Sequence, residues 1–111
     1  MLSKDDILKK RADFQLIKEK GRLYQSPLFG LLVLKKRADR KIGFLISKKV
    51  SKRAVDRNRI RRLLAESVRV NLKNMKNEVW VVFLVKKRML GMKFEETEKE
   101  VGKMMKIVGI I

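Results

Sequence analysis

The chain has 111 residues, 30 of them lysine or arginine against 12 acids, giving a formal charge of +18, and it contains neither cysteine nor histidine. Those absences exclude disulfides, thiolate nucleophiles, Cys-ligated zinc and iron–sulfur clusters, and they remove the usual general base and the commonest transition-metal ligand. Hydrophobic residues at 45% still require a folded core, so the excess charge repels itself until a polyanion relieves it, which makes nucleic acid the leading partner ahead of an anionic membrane or plain supercharging.

The start, Met1-Leu2-Ser3-Lys4-Asp5-Asp6, lacks the basic segment and apolar run of a signal peptide, and no uncharged apolar run reaches the length needed to span a bilayer. A soluble, cytoplasmic protein is expected. Residues 13–20 are predicted as a short helix: Phe14 and Ile17 sit three apart, Leu2, Ile7 and Leu8 add apolar contacts upstream, Asp13 suits the helix start, and Gly21 ends it. After Pro27, residues 28–34 form a nearly continuous apolar run of strand length. Residues 35–40 read as a charged turn and residues 41–47 as another strand, so the two runs are expected to be adjacent and antiparallel. Gly30 and Gly43 mark a bulge, a close approach, or simply tolerated small residues.

From about Lys52 the period becomes helical. At about 100° per residue, Ile60, Leu63, Leu64, Val68 and Val70 share one face, while Asn58, Arg62 and Arg69 share the opposite one, flanked by Arg59 and Arg61. Residues 79–85 are the most hydrophobic stretch and rich in β-branched side chains, as in a central strand covered on both faces. The long helix before them makes a parallel crossover easy, normally right-handed. A basic connection over residues 86–91 leads to a final helix over residues 93–111, with Phe94, Val101, Met105 and Val108 on one face and Glu95, Glu96, Glu98 and Glu100 near its start. No repeat or boundary divides the chain, so residues 1–111 are expected to form one domain.

The charge is uneven. Residues 35–62 hold thirteen basic side chains against Asp39 and Asp56. The most suggestive part is Lys48, Lys49, Lys52 and Arg53 followed by Arg57-Asn58-Arg59-Ile60-Arg61-Arg62, with Arg69 a further turn along. Arginine forks match phosphate oxygens, lysines supply diffuse charge, Ser51 is expected to cap the helix, and Asn58 adds a neutral donor and acceptor for a sugar or base edge. The bland alternative is a solvated basic face with Asn58 stabilising the helix start. Of the aromatics, Phe14 is the best stacking candidate, whereas Phe29, Phe44, Tyr24 and Trp80 are better core residues. Asp5, Asp6, Asp13, Asp39 and Asp56 form no recognisable metal motif, which argues against catalysis by the protein.

The run Ala54-Val55-Asp56-Arg57-Asn58-Arg59-Ile60-Arg61-Arg62, preceded by Gly43-Phe44-Leu45-Ile46-Ser47-Lys48-Lys49-Val50 and followed by Leu63-Leu64-Ala65-Glu66, resembles the protein component of bacterial ribonuclease P. Asp13-Phe14-Gln15 with Gly21, and the region of Pro27 and Phe29, extend the likeness over residues 8–85. The resemblance implies an RNA-binding subunit of a ribonucleoprotein endonuclease that removes the 5′ leader from precursor tRNA. The RNA would carry the magnesium ions and the chemistry; the partners would be ribonuclease P RNA and the precursor.

It also implies an α+β, sandwich-like fold in the order helix-strand-strand-strand-helix-strand-helix, mostly antiparallel with one left-handed parallel crossover. Lys48, Lys49, Lys52, Arg53, Arg57, Asn58, Arg59, Arg61, Arg62 and Arg69 would face the RNA, and Phe14, Lys18 and Leu32 would line a cleft for the leader. Members often carry aromatics where this chain has Lys18 and Leu32, so the cleft here would rely more on charge and aliphatic contact. A general RNA-binding or ribosome-associated protein is the alternative, and an architectural DNA binder the third.

Overall fold

The computed structural model describes residues 6–35 and 37–111. The parts expected of Leu2, Asp5 and Lys36 lie outside those residues.

Helix α1 (Arg11–Lys20) starts two residues before its predicted position, leaving Asp13 within the first turn, where its charge suits the dipole. The Gly21 amide donates to the Ile17 carbonyl at 2.8 Å, and a side chain at position 21 would collide with that carbonyl. Strands β1 (Arg22–Gln25) and β2 (Phe29–Lys35) follow as an antiparallel hairpin in which Leu23 faces Leu32. The turn is closed by the Ser26 amide on the Phe29 carbonyl at 2.9 Å. β3 is Lys41–Leu45, two residues shorter than expected; α2 is Ala54–Val70, β4 is Val79–Val85, and α3 is Phe94–Ile107. Single 3-10 turns at Leu72–Asn74 and Lys87–Met89 flank β4.

The sheet order is β1-β2-β4-β3. The β2 and β3 runs are therefore not neighbours, contrary to the expectation from their short charged link. β4 lies between them, antiparallel to β2 and parallel to β3, with α2 making the crossover. The reason is burial: Val79 to Phe83 are all buried, and such a strand is satisfied only when both edges are paired and both faces covered.

Both faces of the sheet bury apolar side chains. On one, Phe29, Leu31, Val33, Ile42, Val81 and Phe83 pack under Ile60, Leu64 and Val68 of α2 and Val101, Met104 and Met105 of α3. Phe29 meets Phe83 edge-on at 5.0 Å, and Phe44 stacks on Phe83 at 5.4 Å. On the other, Leu8 and Ile17 cover Leu32, Trp80 and Val82. This double coverage explains why β2 and β4 read as unbroken apolar runs.

Two expectations for the helices change. Val70 is 45% exposed, while Ser67 is fully buried in the face otherwise predicted correctly. The Ser67 hydroxyl donates to the Leu63 carbonyl at 2.8 Å, which satisfies it without a partner from outside the helix. Val70 sits at the last helical position, where the chain turns at Asn71, and has no layer above it. α3 stops short of residue 111 because Gly109, at φ 77°, lets its amide reach the Lys106 carbonyl and the Ile110 amide reach Met105 at 3.0 Å. That paired closure ends a helix and returns the buried Ile110 to the core.

Candidate nucleic-acid interface

The approach to α2 is a basic loop held by one apolar anchor. Val50 is only 3% exposed and packs with the main core, its amide bonding the Ser47 carbonyl at 3.0 Å. With Val50 inserted, Lys48, Lys49, Lys52 and Arg53 all point into solvent. Ser51 does not cap the helix as expected. Arg53 occupies that position, with no side-chain capping bond. Ser51 instead accepts the Arg53 amide at 3.2 Å and donates to Asp56 at 2.9 Å. Asp56, in the first turn, thus supplies the negative charge the helix start favours.

The basic side chains of α2 divide by what they touch. Arg57 is half-buried and donates to the Ser51 carbonyl at 2.8 Å, stitching the loop to the helix. Arg59 donates to the Met92 carbonyl at 2.9 Å, tying α2 to the segment before α3. Arg61 bonds Asn58 Oδ1 at 2.9 Å, which holds both polar groups on the exposed ridge. Arg69 forms an ion pair with Glu66 at 2.5 Å; that hydrogen bond holds the Glu66 carboxyl below its ordinary pKa and raises that of Arg69. Arg62 is exposed and, among the described residues, has neither a hydrogen bond nor an ion pair. Lys48, Lys49, Lys52 and Arg62 therefore offer undivided charge, whereas Arg69 shares its charge with Glu66.

Phe14 is half-buried where two surface depressions meet. One, beside α1, is lined by Lys9, Arg11, Gln15, Lys18 and Leu45 as well as Phe14. The other, between α1, β3 and α2, brings Phe14 together with Gly43, Phe44, Arg61 and Arg62. Leu32 does not reach either surface: it is 6% exposed, beneath α1 in the second core cluster. Its alternate neighbours Leu31 and Val33 face the other core, so no side chain in the middle of β2 is free to line a cleft. Lys9, Arg11 and Leu45 were not among the expected residues. The basic run Lys9-Lys10-Arg11 at the start of α1 is the available signal.

Among the described residues, no group of three or more Asp or Glu side chains is placed to hold a metal ion.

Fold and surface together define a small basic α+β protein with a cluster of exposed cations on one helix and the loop leading into it. The family model described as Ribonuclease P matches residues 2–109. The chain is 35% identical to the ribonuclease P protein component of Clostridium kluyveri over 93% of this chain and 94% of that one, and 32% identical to that of Clostridium botulinum strain Loch Maree over 96% and 97%. In structure it is similar to the Staphylococcus aureus RNase P protein, with a TM-score of 0.85, 25% identity and coverage of 95% and 96%. The RNase P protein from Thermotoga maritima shares the fold at a TM-score of 0.80 and 24% identity, over 89% and 94%. The chain belongs to the ribonuclease P protein component family.

Proposed function

We propose that this chain is the RNA-binding protein subunit of ribonuclease P, acting in the cytoplasm on precursor tRNA. The ribonuclease P RNA lies against the loop of Lys48, Lys49, Lys52 and Arg53 and the exposed ridge of α2. The 5′ leader follows the depression beside α1, where Phe14 offers a face for stacking and Lys9, Arg11 and Lys18 offer charge to a backbone of any sequence. The RNA subunit holds the magnesium ions and performs the cleavage. The protein reduces the repulsion between leader and catalytic RNA, because each phosphate it neutralises releases a condensed counterion.

The observation that carries this reading is that Lys48, Lys49, Lys52 and Arg62 are exposed and, among the described residues, without an ion pair, in a chain of this family with a charge of +18. Competition binding tests it. Ribonuclease P RNA should displace unrelated structured RNA of equal length, and in the assembled ribonucleoprotein precursor tRNA should bind more tightly than its leaderless product. Equal affinity for both RNAs would leave a general RNA-binding protein, and equal affinity for both tRNAs would remove the leader from the reading.

A further inference from the structure

The cavity between α1, β3 and α2 has a volume of about 500 Å³ and is lined chiefly by apolar groups, with the exposed Arg61 and Arg62 beside it. That size is within the range of small-ligand sites. Two of its walls are aromatic and packed: Phe44 is stacked on the buried Phe83, and Phe14 is pressed against Gly43. Both rings nevertheless remain partly exposed, so the core has not used them up. An apolar hollow with aromatic walls and two adjoining guanidiniums suits a ligand that is flat and apolar at one end and anionic at the other.

We infer that this cavity takes one unstacked nucleobase of the RNA that lies along α2, with the adjoining phosphate held by Arg61 and Arg62. The inference rests on the RNA-binding reading above and adds to it a site separate from the depression beside α1. Continuity favours this occupant: Arg61 and Arg62 belong at once to the cavity wall and to the exposed basic ridge, so a strand tracking the ridge passes the opening. Glu66, also part of the lining, disfavours an inverted pose with the phosphate inward. Ala65 is the smallest side chain on the α2 wall and can be enlarged without removing a charge.

The test uses the full chain and two strands of equal charge, octauridylate and an octamer of abasic ribose phosphate, followed by fluorescence anisotropy at one low salt concentration. Wild type should prefer the strand with bases. Ala65→Phe, which narrows the cavity from the α2 wall, should reduce that preference roughly tenfold, the scale of one base stacked on aromatic groups. The smaller Ala65→Leu should reduce it in the same direction, and it guards against a fold defect in the larger variant. An unchanged preference in both variants, or an equal loss for the two strands, would overturn the proposal. If wild type bound neither strand in a salt-dependent way, the RNA-binding reading itself would fail, a result distinct from either of those.

Discussion

The ring of Phe14 on α1 lies against the backbone of Gly43 on β3 so closely that a Cβ at position 43 would stand 3.0 Å from one ring carbon and 3.1 Å from the next. This contact seats the ring between the two depressions that flank it. Gly43→Ala must push the ring or Leu8 aside, since Leu8 Cβ would be 3.3 Å away. Overpacking of this kind costs about 1–3 kcal/mol. The urea midpoint should fall accordingly, and binding of single-stranded RNA should weaken with it. A wild-type midpoint would show that the contact relaxes freely.

Arg62 and Arg69 share the exposed face of α2, yet only Arg69 has a carboxylate partner. Arg62→Ala should lower the salt dependence of RNA binding by about one unit on a log–log plot, with little change in stability. Arg69→Ala should lower it by clearly less. Equal slopes for the two variants would mean that Glu66 does not neutralise its partner when RNA is bound.

The same ion pair sets a pH dependence. Glu66 has a folded-state pKa held below the ordinary value by its hydrogen bond to Arg69. Its contribution to stability is therefore complete above the unfolded carboxylate's pKa and is lost as pH falls through the lower folded value. An NMR titration of the Glu66 carboxyl should place its midpoint below that of an ordinary glutamate, and Arg69→Ala should move it upward. A midpoint indifferent to Arg69 would sink this assignment.

Trp80, the only tryptophan, donates its indole N–H to Asp39 at 2.8 Å while the Arg37 guanidinium lies 4.3 Å from its ring centroid. Asp39→Ala leaves that N–H without its partner in a 6% exposed residue, at a cost of about 1–3 kcal/mol. Asp39→Asn, which keeps an acceptor, should recover most of it. Thermal unfolding followed by tryptophan emission reads both variants; identical curves for the two would remove the hydrogen bond as the cause.

How much of this was legible in the sequence depended on the kind of signal. Helical periodicity placed Ile60, Leu64 and Val68 in the core and Arg62 outside, because a helix between a sheet and solvent repeats its burial every turn. The pairing of strands was harder to read. Nothing local in residues 35–40 says that β4, more than thirty residues later, inserts between β2 and β3. β1 is too short, and its Arg-Leu-Tyr-Gln too weakly patterned, for residue-by-residue reading: the residues left room for a further short strand only near 44–50, and the family resemblance implied a third strand before α2 without placing it. In the site, charge was visible but its compensation was not: Glu66 lies three residues before Arg69, whereas the Met92 carbonyl that engages Arg59 is far along the chain. The resemblance implies a cleft role for Leu32, whereas this fold buries that aliphatic side chain under α1.

In the function proposed above, the protein assists an RNA enzyme by managing charge. Cleavage of a precursor tRNA by a bacterial ribonuclease P RNA, measured with and without this chain across a magnesium series, tests it most directly. The account predicts that the protein shifts efficient cleavage to lower magnesium and tightens substrate binding, with the effect reduced in Arg62→Ala. Cleavage and substrate affinity that are the same with and without the protein at every magnesium concentration would contradict it.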